Sequence, residues 1–387
     1  MVPPIRRTFN NTPPGCGPVA ARFAARLELA FARTATYGVH MAEWMIYGAN
    51  GYTGELVARR AARLGLRPVL AGRSGGAIRV LAGELGLDHV EVALDDPVTL
   101  RAALSGVRLV AHCAGPFVAT SAPMVDACLA TGTHYLDVTG EIEVFESIFA
   151  RHEEAVAAGV VLVPGAGFDV VPTDCLAARL AAALPGASSL ELAFRAGGGL
   201  SRGTARTTLS GLAGGGRVRR NGVLVPTQAG SPRRRVPFPS GERSVASVRW
   251  GDLVTAFRST GIPNITVYAG LPMKGRGAAL AGVLRSAPLL GLARRVVSAR
   301  VTGPDADRRA RSRSEVWGEV RDADGHARSG TLTGPNAYDL TADAVVRAVG
   351  ELNDARTCPA PGAYTPSMAF GVDFAAKLDG VRVSDVV

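Results

Sequence analysis

The sequence predicts an α/β fold, a doubly wound parallel sheet with a second, inserted α+β domain built on an antiparallel sheet. Three observations predict it. Apolar strand-like runs alternate with amphipathic segments from Trp44 to about Val163, a glycine-rich turn joins the first strand to the first helix, and after Pro164 the texture changes to short strands. The 387 residues leave room for two or three domains at about 100–200 residues each. With 47% apolar and 20% charged residues, disorder, fibrous repeats and a disulfide scaffold are disfavoured.

The strand candidates, in order, are WMIY (44–47), PVLAG (68–72), HVEVA (89–93), RLVAHC (108–113), HYLDV (134–138) and VVLVP (160–164). Between them, Tyr52–Leu64 places Leu56, Val57, Ala61 and Leu64 on one helical face, and Ala122–Thr131 does the same with Met124, Val125, Cys128 and Leu129. The second of these helices is predicted to start at the Ser121 hydroxyl and Pro123 and to stop at Gly132. Beyond Pro164, Asp169–Leu184 reads as one long helix. Strands are expected at Leu190–Phe194, Val245–Trp250, Leu253–Phe257 and Ile265–Ala269, and Glu315–Thr333 reads as a hairpin turning at Asp324-Gly325. Leu340–Leu352 is helical again. The expected organisation is an extension over 1–40, disordered or not normally translated, a nucleotide-binding domain over 41–168 to which 335–387 returns, and a substrate domain over 169–334.

The sharpest signal is YGANGYTGELVARR, Tyr47–Arg60. Glycines at this point allow a tight turn and close approach of backbone to a pyrophosphate, and the helix start offers unpaired N–H groups to the anion. Gly48, Asn50, Gly51, Tyr52, Thr53 and Gly54 are therefore cofactor candidates in a Rossmann-type domain. The second strand ends in AGRS, without the carboxylate that binds a ribose 2′-hydroxyl; Arg73 and Ser74 suit a 2′-phosphate, so NADP(H) is the expected cofactor. Asp95 stands where the adenine is edged, while Asp95 and Asp96 also suit a helix cap before Pro97. Cys113, Ala114, Gly115, Pro116 and Phe117 follow the fourth strand and would wall the nicotinamide. His112 and Cys113 read more readily as core residues closing a buried strand than as chemistry.

Composition removes several alternatives. Of the 43 basic residues only Lys274 and Lys377 are lysines, and neither follows a tyrosine at the Tyr-x-x-x-Lys spacing, which rules out short-chain reductase chemistry. The five cysteines include no CxxC pair and the six histidines form no HExxH, so no metal site is expected. Cys113, Cys128 and Cys175 fall in the cofactor wall or on helical faces, against a thiol nucleophile. Ala193–Arg235 holds nine arginines and no acid, but Phe194 is its one aromatic, a poor pattern for nucleic acid. An ordinary solvated loop, anionic headgroups or an acidic carrier surface fit better. Ala278–Val297 is broken by Arg285, Pro288, Arg294 and Arg295, so at most it lies on a membrane. A cytoplasmic protein is expected, with membrane contact confined to the periphery and a homodimer allowed.

GANGYTG, LAGRS, HCAGPF, HYLDVTGE (134–141), GFDVVPTD (167–174), SRGTARTTL (201–209) and TPSMAFGVDF (365–374), taken in order, resemble the saccharopine dehydrogenase-like reductases, most closely the branch of trans-acting enoyl reductases. The resemblance spans about 44–380. It implies an NADP-binding domain, an α+β substrate domain, and reduction of a carbon–carbon double bond in a polyketide- or lipid-type acyl intermediate, carrier-bound or free, supplied in trans to a synthase. Such a reductase needs polar groups beside the nicotinamide to stabilise an enolate and deliver a proton. The candidates are Tyr135, Asp137, Thr139 and Glu141 after the fifth strand and Phe168 and Asp169 after the sixth, with Arg206 as a possible partner for a substrate carboxylate or carrier phosphate. A saccharopine-like amino-acid reductase and a redox-inert NADP-binding, membrane-associated protein are the alternatives.

Overall fold

The computed structural model describes residues 44–201, 203–205, 215–270 and 301–387. The expected 1–40 extension, Arg206 and the Ala278–Val297 segment lie outside the described residues.

Strands and helices alternate from the start: β1 (Trp44–Tyr47), α1 (Tyr52–Arg63), β2 (Val69–Gly72), α2 (Gly75–Leu85), β3 (His89–Glu91), α3 (Pro97–Leu104), β4 (Leu109–His112), α4 (Phe117–Thr131), β5 (His134–Asp137), α5 (Ile142–Phe149), α6 (His152–Ala158) and β6 (Val161–Val163). These strands pair in parallel in the order β6-β5-β4-β1-β2-β3, and a late two-residue strand, Gly362–Ala363, adds to the outer side of β6. The register explains the buried runs. Leu70, Ile46, Ala111, Leu136 and Val163 form one row across five strands, each 0–1% exposed, as expected for a sheet covered on both faces. The row above it, at the carboxyl ends, is Ala71, Tyr47, His112 and Asp137. Apolar residues fill the middle of the sheet, and polar ones close its top where the strand order reverses between β1 and β4.

The chain continues with α7 (Val171–Ala183), β7 (Ser189–Ala196), β8 (Gly216–Arg220), β9 (Val223–Thr227), β10 (Arg233–Phe238), β11 (Gly241–Ser247), α8 (Asp252–Thr260), β12 (Asn264–Ala269), α9 (Ala306–Arg311), β13 (Ser314–Arg321), β14 (Ala327–Gly334), α10 (Ala337–Asn353), β15 (Gly362–Ala363), α11 (Pro366–Phe370) and β16 (Arg382–Val383). The second sheet runs β10-β11-β12-β7-β13-β14-β16, with β8 on β12 and β9 on β8. It is mixed rather than wholly antiparallel, because β12 runs parallel to β7. The predicted hairpin is β13–β14, paired from Ser314↔Gly334 to Arg321↔Ala327 around Asp324-Gly325.

Two element predictions differ from the structure. The expected strand Leu253–Phe257 lies inside helix α8, which Val254 N and Thr255 N open by donating to Gly251 O at 2.8 and 3.1 Å, and which left-handed Gly261 ends. Helix α4 begins at Phe117, not at Ser121, and carries Pro123 inside; Ser121 is buried, and Gly132 stops the helix as expected.

The acid-free stretch is also less of a free cationic face than its composition implies. Arg195 pairs with Glu315, Arg234 with Glu191 and Glu319, and Arg235 with Glu242. Arg219 is 6% exposed, donates to the carbonyls of Leu253 and Gly222, and lies 4.1 Å over the Phe257 ring. The partners come from elements distant in sequence. Among the described residues, no helix is long and apolar enough to cross a membrane.

Candidate functional site

The crevice at the carboxyl ends of the parallel strands is built from four loops. The first leaves β1 at Gly48, whose φ of +81° favours glycine and whose amide donates to Ala71 O at 2.8 Å. The turn closes with Gly51 N donating to Gly48 O at 2.9 Å. A Cβ on Gly54 would stand 2.3 Å from the Gly48 carbonyl oxygen, so only glycine lets α1 start this close to β1. Helix α1 has no side-chain cap at its N-terminus, which leaves its first amides for a ligand. Asn50 is exposed at the tip. The Tyr52 side chain turns away from the crevice: its hydroxyl donates to Pro304 O at 2.5 Å, accepts from Arg309 at 3.2 Å, and its ring meets Tyr338 edge-on. Tyr52 and Thr53 can thus serve a phosphate through main-chain amides in the first turn.

The second loop follows β2 and carries exposed Arg73 and Ser74, with no carboxylate at the strand end. After β3, Asp96 caps α3 by accepting from Thr99 N at 3.0 Å, with Pro97 in the first turn, while Asp95 stays exposed.

The third loop, Cys113–Phe117, lies against the first: a Cβ on Gly48 would be 2.7 Å from the Ala114 Cβ. His112 below it is fully buried, with Nε2 at 3.1 Å from the Thr120 hydroxyl and Nδ1 without a partner; burial pushes its pKa down to about 3, so the ring is neutral. Burial, then Asp137, pushes the Cys113 thiol up to about 12, so it is no thiolate nucleophile. His112 behaves as core, whereas Cys113 is half-buried at the crevice wall.

The fourth region brings the loops after β5 and β6 together. Tyr135 is wholly buried; its hydroxyl donates to Asp137 Oδ2 at 2.7 Å. Asp137 Oδ1 accepts from Thr139 N at 2.9 Å and Gly165 N at 2.8 Å, tying the two loops to one carboxylate. Tyr135 and Asp137 are placed to hold the crevice floor rather than to touch a substrate. Glu141 reaches across to α4, accepting from Phe117 N at 3.1 Å and Val118 N at 2.9 Å, so its carboxylate caps that helix and anchors the third loop. These three catalytic candidates converge on one region as positioning groups, and Arg206 lies outside the described residues.

Asp169 is different. Its carboxylate makes no hydrogen bond or ion pair within the described residues, and an atom added at Gly140 would meet Oδ2 at 3.1 Å. Burial alone pushes its pKa up to about 7. Its main-chain oxygen accepts from the Trp250 indole at 2.9 Å, and Trp250 leans on Phe194 at 4.8 Å between centroids, with Phe168 edge-on to Phe194 at 6.3 Å. An aromatic wall therefore adjoins the main chain of a residue whose carboxyl group can hold or release a proton near neutrality. Phe194 comes from β7 and Trp250 from the loop between β11 and α8, and no sequence spacing ties them to Asp169.

A family model, the saccharopine dehydrogenase NADP binding domain, matches residues 44–163. Residues 44–163 are an NADP-binding domain of the saccharopine dehydrogenase type. Cofactor and fold agree, since the glycine contacts, the uncapped helix and the exposed Arg73 all suit a dinucleotide carrying a 2′-phosphate. Proteins named trans-acting enoyl reductase from Mycobacterium leprae and Mycobacterium tuberculosis are 36% and 34% identical to this chain over 138 residues, which is 34% of this chain and 33% of each relative. The chain therefore spans about a third of the length of these curated relatives. Beyond the NADP-binding domain, apo saccharopine dehydrogenase (L-Glu forming) from Saccharomyces cerevisiae superposes with a TM-score of 0.63 at 14% identity, covering 89% of this chain and 99% of that one. The likeness shows a shared fold through both sheets.

Proposed function

We propose that this oxidoreductase is an NADPH-dependent enoyl reductase that acts in trans on an α,β-unsaturated acyl group of polyketide or lipid type, presented on a carrier or as a free thioester. The observation that carries the reading is Asp169 beside the Phe194–Trp250 wall. The bound cofactor would supply a hydride to the β-carbon. The chain's own residues do the rest. Asp169, protonated near neutral pH, delivers the proton to the α-carbon, so hydride and proton together saturate the double bond. Phe168, Phe194 and Trp250 give an apolar surface to the acyl chain. Asp137 and Glu141 keep the loops in place through main-chain amides. The names of the mycobacterial relatives support the same reading. Against an amino-acid substrate, two arginines near this wall are already occupied: Arg195 by Glu315 and Arg249 by Glu143.

The test is single-turnover NADPH oxidation against a panel of enoyl thioesters of increasing chain length, with an amino acid plus a semialdehyde as the contrasting pair. Enoyl reduction that improves with chain length and collapses in Asp169→Asn, with NADPH binding retained, is the expected result. Turnover of the amino-acid pair alone points to the saccharopine-like alternative, and no hydride transfer to any acceptor points to a redox-inert NADP-binding protein.

A further inference from the structure

The corner where β2 hands over to α2 contains an acid as well as the expected base. Parallel pairing sets Glu91, the last residue of β3, level with Gly72, the last residue of β2, and Val92 N donates to Gly72 O at 3.0 Å. The Glu91 side chain then lies over the first residue of α2: a Cβ on Gly75 would stand 1.9 Å from Oε2 and 2.4 Å from the carboxyl carbon. Helix α2 starts with no side-chain cap from Ser74 and no acid in its own first turn. Glu91 and Arg73 are both exposed, and neither makes an ion pair with the other or with any other described residue. Arg73, two residues before the helix, and the Glu91 carboxylate over its first residue thus meet at one helix start without forming an ion pair.

In a domain of this type the adenosine ribose sits at the carboxyl end of β2, with its 2′-substituent toward this corner. We infer that Glu91 is a specificity-determining residue that opposes Arg73. The 2′-phosphate of NADPH meets attraction from Arg73 and repulsion from Glu91, whereas the 2′-hydroxyl of NADH can donate to the Glu91 carboxylate. Glu91 therefore narrows the preference for NADPH that Arg73 alone would set, and leaves NADH a usable second cofactor. The inference rests on the NADP reading of the domain but not on any substrate.

The experiment is titration of the full chain with NADPH and with NADH, followed by nicotinamide fluorescence, for wild type, Glu91→Gln and Glu91→Ala. Both side chains are solvent-facing substitutions, so folding is not at stake. Removing the carboxylate is expected to tighten NADPH about tenfold and weaken NADH about threefold, with the NADPH effect shrinking in high salt. An unchanged NADPH-to-NADH ratio in both variants, with wild type binding NADPH, overturns the role given to Glu91. Wild type binding neither cofactor overturns the cofactor reading itself, and this inference with it.

Discussion

Asp137→Asn tests whether one buried carboxylate holds the crevice floor. In the wild type Oδ1 takes two amides and Oδ2 takes the Tyr135 hydroxyl, three bonds to a side chain that is 1% exposed. Burial outweighs those bonds and pushes the pKa up from 3.8 to about 6. The sign follows. The folded state prefers neutral Asp137, so its contribution to stability is fully present below the unfolded value near 4 and is lost as pH rises toward 6. At about 1.4 kcal/mol per pKa unit, the loss is about 3 kcal/mol. Asparagine keeps an oxygen toward the two amides and carries no charge, at a cost of about 1–2 kcal/mol for replacing the strong acceptor facing Tyr135. The variant should therefore be less stable than wild type at pH 4 and as stable or more stable at pH 8. Urea unfolding of both proteins at several pH values, followed by tryptophan fluorescence, measures the difference, in which the other buried acids cancel. A difference independent of pH would refute the claim that this carboxylate is held in a penalised ionised state at neutral pH.

Other outcomes follow from the same contacts. Gly54→Ala puts a methyl 2.3 Å from a main-chain oxygen that cannot yield, so it should abolish NADPH binding in a fluorescence titration and cost about 1–3 kcal/mol in stability. Glu141→Gln leaves one of the two α4 amides facing a donor; its NADPH Kd should rise several-fold while kcat at saturation stays near wild type, read from steady-state kinetics. If Asp169 delivers the proton, kcat falls as pH rises through about 7, and Asp169→Asn removes that limb of the pH profile. Arg219→Met strips donors from the carbonyls of Leu253 and Gly222 and should cost about 2–4 kcal/mol by thermal or urea melts, with NADPH affinity unchanged.

Much of the fold was legible because its signals are local. The parallel strands from Trp44 to Val163, edge strand β3 apart, are short and largely apolar runs, and the glycines at 48, 51 and 54 announce the phosphate loop through steric needs that the contacts bear out. Asp324-Gly325 marks the hairpin and Asp96 the cap of α3 for the same reason. What was not legible depends on partners far along the chain. The start of α4 is set by Glu141, 24 residues after Phe117, so the local Ser121 and Pro123 signal misplaced it. The run Leu253–Phe257 is too short to separate strand from helix by period. The excess of arginines in 193–235 looked like an exposed face because Glu191 precedes that stretch and Glu242, Glu315 and Glu319 follow it. Tyr135 and Asp137 share one face of β5 two residues apart, so their hydrogen bond follows from the strand period; the Gly165 amide that also holds Asp137 comes from 28 residues further on, with no local signal.

The two-residue strand β15 has a consequence for how the protein is made. β6 completes its outer edge by pairing with Gly362–Ala363, about 200 residues later in the chain. At roughly 5–20 residues per second of synthesis, that edge stays open for about 10–40 s on the ribosome. Val161–Val163 is an apolar strand with no charge to discourage a stray neighbour. Slow elongation through the second sheet, or fragments truncated before residue 362, should therefore favour aggregation of nascent chains, and a chaperone that shields this one edge would be of more use to the protein than one that acts on either sheet once both are formed.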